Sequence, residues 1–121
     1  MKAKAVVLRA LATQDVEQAI GAYLGEGAVQ AALGFIDALE QAYAHVGRHS
    51  ATGSARYAHE LDLPGLRSWK LRRYPYIVFY MERAEHVEVW RVLHGMRDVA
   101  AWLQGDVEAD ERGGGLPAAG L

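Results

Sequence analysis

The segment YIVFYM, residues 76–81, constrains the fold more than any other part of this chain. An unbroken apolar run of this length is typical of a strand that lies inside a sheet and is covered on both faces. The preceding Tyr74-Pro75 pair marks a break, because proline cannot donate to a strand ladder. Residues 82–86 (ERAEH) then predict a polar turn, and residues 87–93 (VEVWRVL) predict the antiparallel strand that returns from it.

Upstream of this strand pair the apolar period becomes helical. Residues 4–11 predict a short first strand. In the helix that follows, Thr13 can act as the N-cap and Asp15 lies in the first turn, where the helix dipole favours an acid. A longer helix is predicted over residues 28–47. Its apolar stripe is formed by Ala28, Ala32, Phe35, Leu39, Ala42 and Val46. The Gly-Glu-Gly link at residues 25–27 makes the two helices an antiparallel hairpin.

The rest of the chain completes an α+β fold. Residues 56–63 (RYAHELDL) and 66–73 (LRSWKLRR) predict two strands joined by a tight Pro-Gly turn, and a short C-terminal helix is predicted over residues 97–103. The expected order is an N-terminal strand, an antiparallel helical hairpin, a mostly antiparallel three- to four-strand meander and this short helix. Residues 1–103 then form a single domain. Residues 104–121 form an acidic, Gly-rich tail that is expected to be disordered.

Composition excludes several classes of protein. The chain of 121 residues has no cysteine, so disulfides and thiolate sites are excluded. Its net charge of −2 argues against a surface that is basic throughout, although the segment from Leu66 to Arg97 holds seven Lys/Arg against three Glu. No apolar run is long enough to span a membrane, and the N-terminus lacks a secretory signal. The histidines are scattered without metal-ligand spacing. We therefore expect a cytoplasmic protein that contacts no membrane and binds neither metal nor cofactor.

The fragment RVLHGMRD, residues 91–98, is the first candidate for chemistry. His94 could act as a general acid or base because histidine is the residue type that ordinarily titrates near neutral pH; alternatively, its ring bonds a backbone group at the end of the strand. In a regular strand Arg91 and His94 point to opposite faces, so they can share a site only if the strand is bulged. Arg97 could position a phosphate, or it could pair with a carboxylate while Asp98 occupies the first turn of the last helix. The interpretation favoured here is a structural corner.

The second candidate is the basic strand, in which Arg67, Lys70 and Arg73 could contact a nucleic acid. Arginines interleaved with Trp69 could stack on and clamp a nucleotide. The alternative is a half-solvated strand with Trp69 and Leu71 packed inward. The alternative is favoured, because most alternating strands of this composition are of that kind.

Together the first strand, the helical hairpin, RRYPYIVFY (72–80) and VWRVLHGMRD (89–98) resemble the RelE/ParE toxin superfamily, and specifically its ParE-like branch. The resemblance covers residues 4–103. It implies a small cytoplasmic toxin of a type II toxin-antitoxin system, neutralised by a cognate, ParD-like antitoxin encoded beside it. Such an antitoxin wraps the toxin with an amphipathic helix and an added strand. The residues that would receive the antitoxin are Val16, Ile20, Tyr23 and Leu24.

Two mechanisms occur in this superfamily. RelE-like members cut mRNA in the ribosomal A site with basic residues and a general acid or base, whereas ParE-like members poison DNA gyrase. The positions that carry over from the nuclease pattern are Arg72, Arg73, His94 and Arg97. The nuclease's acidic base falls near Tyr57 here, and Gly95 stands where several nucleases have an aromatic residue. Because this set is incomplete and the chain is mildly acidic, a gyrase poison is favoured. A ribosome-dependent mRNA endoribonuclease is the alternative, and an inactive relative is a third possibility.

Overall fold

The computed structural model describes residues 3–96, residue 99 and residues 101–103. Its strands and helices, in chain order, are β1 (Ala5–Leu8), α1 (Ala10–Gly25), α2 (Val29–Arg48), α3 (Arg56–Leu61), β2 (Leu66–Lys70), β3 (Tyr76–Glu82) and β4 (His86–His94), with a short 3₁₀ turn at Ser50–Thr52. Residues 99 and 101–103 are helical as well. The predicted tail and the predicted start of the last helix at Arg97 and Asp98 lie outside the described residues. Within the described part, no helix is both long and apolar enough to cross a membrane.

The four strands form one sheet in the order β1-β4-β3-β2. Strands β2, β3 and β4 are an antiparallel meander, and β1 joins β4 in parallel with Ala5 opposite His86. A parallel pair needs a long crossover, and here the helical hairpin lies within that crossover. The predicted α+β class and element order are confirmed, with three strands in the meander.

Two apolar cores cover the two faces of the sheet. The first lies under the hairpin and joins Phe35, Leu39 and Val46 of α2 to Val78 and Tyr80 of β3. The second lies on the opposite face. It contains Leu66, Ile77, Phe79, Met81, Trp90, Leu93, Val99 and Leu103, with residues of α3 packed against it. Because β3 contributes to both cores, every position of its apolar run is used, as expected for an interior strand.

The prediction that residues 56–63 form a strand is wrong, because the segment folds as α3. Tyr57 and Leu61, four residues apart, both pack against the second core. On the outer side, Arg56 Nε donates to Glu60 Oε1 at 3.1 Å, also across four residues. Apolar residues in this segment fit a period of two and a period of four equally well, and packing beneath the sheet selects the helix.

The start of α1 also differs from the prediction. The helix begins at Ala10 with Arg9 as its N-cap and no side-chain cap, so Thr13 lies inside the first turn rather than before it. The Arg9 N–H donates to Val89 O at 2.9 Å, which means that the chain passes from β1 into the helix without a loop. Asp15 is consequently buried one turn further along the helix.

Strand β4 contains a β-bulge that regular alternation did not predict. Phe79 pairs with Arg91 and Tyr80 with Val89, which leaves Trp90 as the extra residue. The bulge shifts the alternation by one position. Trp90 therefore packs in the second core, whereas Val92, expected on the same face, packs under the hairpin.

Candidate functional site

Arg91, at the bulge, is held by a buried carboxylate. Its Nε and Nη2 donate to the two oxygens of Asp15 at 2.8 and 2.7 Å, and Asp15 also accepts the Val92 N–H at 3.0 Å. Both side chains are less than a tenth exposed. The carboxylate occupies the edge of β4 just beyond the last residue of β1, where the Val92 amide would otherwise be buried without a strand partner. Arg91 thus closes a structural junction, and its guanidinium is not presented to solvent.

His94, at the end of β4, is held by local contacts. Its Nδ1 accepts the Met96 N–H at 3.0 Å, and its ring meets Tyr76 edge-on at 5.2 Å. Because Nδ1 is an acceptor, a neutral ring carries its proton on Nε2. The side chain lines a cavity of about 70 Å³ beneath α1, together with Gln18 and Ala19. These contacts match the structural alternative to catalysis, in which the ring of His94 bonds a backbone group at the end of the strand.

Arg72 and Arg73 lie in the connection between β2 and β3 and are exposed. They line a separate cavity of about 320 Å³ against α2, with Asp37 and Gln41 on the opposite wall. The Tyr74 hydroxyl donates to Ala31 O at 3.0 Å and holds this connection on the helix. The arginine cavity and the His94 cavity have no lining residue in common.

Arg73 adopts a left-handed backbone conformation, with φ of 70°. This region is uncommon for a residue with a side chain and costs of the order of 1 kcal/mol. Arg97, the remaining position of the nuclease pattern, lies outside the described residues. Of the described positions of that pattern, His94 lines the smaller of these two cavities, and Arg72 and Arg73 line the larger one.

The three residues proposed to contact nucleic acid are dispersed as well. Arg67 lies on the hairpin face of β2 and donates from Nη1 to Gly53 O at 2.8 Å. Lys70 is exposed at the end of the same strand, and Arg73 lies in the following connection. The ring of Trp69, which was considered as a stacking surface for a nucleotide, stacks on His45 with centroids 3.9 Å apart. The inward packing of Trp69 and Leu71 agrees with the structural alternative.

The four hairpin residues proposed for antitoxin binding divide into two groups. Val16, Ile20 and Tyr23 are partly buried against the first core. Tyr23 contacts the Phe35 ring at 5.8 Å, and burial is the largest cause that raises its pKa. Leu24, by contrast, is 50% exposed. The hairpin therefore offers its end, rather than the whole face of α1, as open apolar surface.

Two further exposed apolar residues lie near the link of the hairpin, at the start of α2. Val29 and Leu33, one turn apart at the start of α2, are 52% and 55% exposed. We call Leu24, Val29 and Leu33 the hairpin-end patch. In the sequence, Val29 and Leu33 make the apolar stripe of the longer helix wider than its core-facing residues alone. This extra width is the sequence feature that could have predicted an exposed apolar strip.

Comparison with known proteins assigns the fold to a family. Residues 6–99 match the family described as "ParE toxin of type II toxin-antitoxin system, parDE". The chain belongs to the ParE toxin family. A solved structure titled "Chromosomal ParDE TA system from P. aeruginosa" is similar in fold, with a TM-score of 0.62 and 15% sequence identity over 75% of this chain and 95% of that chain. No curated protein sequence gives a significant match.

In this ParE-family toxin, sequence reasoning missed the residue that explains Arg91. Asp15 was predicted to lie in the first turn of the helix, where an acid favours the dipole, yet it pairs with a residue 76 positions away. The only sequence signal was an acidic residue in line with the apolar face of an amphipathic helix, a position where a charge needs a partner. Across the described residues, no group of three or more potential metal ligands lies together.

Proposed function

We propose that this ParE-family toxin acts by binding and poisoning DNA gyrase, and that a cognate ParD-like antitoxin neutralises it. The observation that supports a gyrase poison over a nuclease is the separation of the nuclease-pattern residues. His94 lines one cavity and Arg72 and Arg73 line another. Groups that cleave a phosphodiester act as a unit, so a divided set favours a toxin that binds its target.

One observation favours the alternative of a ribosome-dependent mRNA endoribonuclease. The Gly95 N–H donates to Pro75 O at 2.7 Å, so the end of β4 lies against the connection that carries Arg72 and Arg73. A rearrangement on the ribosome could bring these groups closer together. Separating the two mechanisms therefore needs a readout for each.

The experiment expresses the chain alone in bacteria and follows DNA-damage signalling and mRNA integrity in the same cultures. A gyrase poison induces the DNA-damage response early and leaves mRNA without new, site-specific ends. His94→Ala retains toxicity on this account, because the contacts of His94 with Met96 and Tyr76 hold the end of β4. Early mRNA cleavage that His94→Ala abolishes would overturn the proposal in favour of the nuclease. Harmless expression of the folded chain would instead indicate an inactive relative.

The antitoxin is proposed to use two surfaces. The hairpin-end patch can receive the apolar face of an amphipathic helix. Strand β1 is at the edge of the sheet, and no described segment pairs with its outer side, so an extended segment can add there. Just before β1, the Lys4 N–H donates to Gly47 O at 2.9 Å.

Charge substitution in the patch tests the helix-binding part of this proposal. Leu33→Glu is expected to weaken antitoxin binding at least tenfold, which corresponds to about 1.4 kcal/mol. Met96→Glu is the matched control, since Met96 is an exposed apolar residue at the end of β4. Calorimetry measures the affinity of each variant for the antitoxin encoded beside the toxin. Equal affinities of the two variants would show that the antitoxin binds outside the hairpin-end patch.

A further inference from the structure

A groove of about 440 Å³ lies between α3 and the outer side of β2, away from both cavities described above. Its walls include Ser54, Arg56, Tyr57, Ser68, Trp69 and Lys70. We call it the Lys70 groove. It combines two cations with several hydroxyls, and its size falls within the range of small-ligand sites.

The polar groups of the groove are mainly donors without acceptors. Among the described residues, neither the Lys70 ammonium nor the Ser68 hydroxyl has a hydrogen-bond partner. Arg56 uses Nε on Glu60 and keeps its other guanidinium N–H groups. The Ser54 hydroxyl accepts the Arg56 N–H at 3.2 Å, which leaves its own proton to donate. A site rich in donors and positive charge suits a ligand rich in acceptors and negative charge, such as a phosphate.

Thr52, which also lines the groove, has no proton to offer. Its hydroxyl donates to His49 O at 2.7 Å and contacts His45 Nε2 at 2.8 Å. A hydroxyl has a single proton, so the contact with His45 must be one in which Thr52 accepts. The donor set that faces a ligand therefore consists of Lys70, Arg56, Ser54 and Ser68.

The backbone beside the groove does not suit a peptide strand. Ser54 and Ser68 already exchange two backbone hydrogen bonds, at 2.9 and 3.0 Å, on the outer side of β2. The Leu66 N–H on the same side is used by Leu63 O. Along this described edge, an added strand could form backbone hydrogen bonds only at Lys70. A ligand in this groove must therefore be recognised by side chains.

The aromatic rings of the groove are engaged within the protein. Trp69 stacks on His45, and Tyr57 has the Arg56 guanidinium over its ring at 5.1 Å and Phe79 edge-on at 5.3 Å. Stacking on a base is therefore limited, and a ligand is held through its phosphate. Such binding is independent of base sequence.

We propose that the Lys70 groove binds a backbone phosphate of a nucleic acid, with Lys70 and Arg56 supplying the charge and Ser54 and Ser68 donating hydrogen bonds. The mild negative charge of the whole chain does not oppose this, since the surrounding segment from Leu66 to Arg97 is locally basic. The contact goes beyond the proposed function because it requires neither gyrase nor antitoxin.

The test measures binding of the full chain to a short labelled duplex DNA at several salt concentrations. Lys70→Gln removes one phosphate contact, so the slope of log affinity against log salt becomes shallower by about one. Arg72→Gln is the control, because it removes the same charge from a residue that lines a different cavity. Ser68→Ala should weaken binding without changing the slope. Circular dichroism checks that each variant keeps the wild-type fold.

Parallel samples identify the source of the phosphate. A single-stranded RNA of the same sequence is compared with the DNA, and ATP and inorganic phosphate are added as competitors. Displacement by ATP at low concentration, lost in Lys70→Gln, supports the site with a free nucleotide as its ligand. Equal effects of Lys70→Gln and Arg72→Gln, or no binding of any of these probes, would overturn the proposal. Because gyrase is absent, this failure is distinct from failure of the proposed function.

Discussion

Arg91 illustrates how a residue that looks catalytic in a motif can serve the fold instead. Its guanidinium is paired with Asp15 at two points and also lies 5.1 Å from the centre of the Trp102 ring. Removing one member of a buried pair leaves the other charged and without compensation. We therefore expect Asp15→Ala to lower the free energy of unfolding by about 3–5 kcal/mol.

Urea denaturation measures this cost, with Glu82→Gln as the control. Glu82 forms an ion pair with Lys4 at 2.6 Å that is partly exposed, and breaking such a pair costs below about 1 kcal/mol. Should Asp15→Ala fail to fold, Asp15→Asn keeps one acceptor oxygen and should fall between Asp15→Ala and the wild type. If Asp15→Asn and Glu82→Gln lowered the free energy of unfolding by similar amounts, the assignment of Arg91 to a structural pair would be contradicted.

Arg73 separates a structural effect from a catalytic one. Glycine accepts its φ of 70° without steric cost, so Arg73→Gly should raise stability by up to about 1 kcal/mol despite the added chain entropy. Arg72→Gly gains no such relief, because Arg72 has no positive φ, and it should be neutral or slightly destabilising. Thermal unfolding of the two variants checks the difference.

Growth arrest by the same variant checks the role of the guanidinium. On the gyrase account, Arg73→Gly remains toxic while it is folded. A stable but harmless Arg73→Gly would mean that the side chain takes part in the toxic activity, and would favour mRNA cleavage.

At the level of elements, the contact between α2 and β1 is set by Gly47. A Cβ at this position would lie 2.8 Å from the backbone oxygen of Lys4, closer than real contacts allow. Gly21, in α1, has nothing within 4 Å of the same position. Gly21→Ala should therefore stabilise the protein by up to about 1 kcal/mol through helix propensity alone.

Gly47→Ala should destabilise the protein, because β1 must move away from the helix to admit the methyl group. Melting temperatures of the two variants should shift in opposite directions. A rise in both would show that β1 yields without cost, and that the helix does not define the position of this edge strand.

The elements that were predicted correctly are those defined by local periodicity. The apolar stripe of α2 and the run in β3 each specify their secondary structure within one segment. The segment RYAHELDL does not, because its apolar residues fit both periods and its packing partners are distant in sequence. The bulge at Trp90 and the Asp15–Arg91 pair also depend on contacts between remote segments. The same limit applied to the sites: Lys70 could be identified as a basic residue, but Arg56 and Ser54 could join it only after α3 was seen to be a helix.

At the scale of the whole molecule, the fold and the family match establish a ParE-family toxin. The described surface offers exposed apolar residues at the hairpin end, an open edge at β1 and dispersed cations, a combination suited to binding. Of the nuclease-pattern residues that are described, Arg72 and Arg73 line one cavity with Tyr74, and His94 lines another with Tyr76. Both features favour action through a protein target.

The most direct measurement combines the purified toxin with DNA gyrase and relaxed plasmid. We predict that supercoiling falls with toxin concentration, or that plasmid DNA accumulates in a cleaved, gyrase-bound form, and that His94→Ala behaves like the wild type. The proposal would be contradicted if the toxin left gyrase activity unchanged while the same toxin arrested growth in cells and cut mRNA on ribosomes.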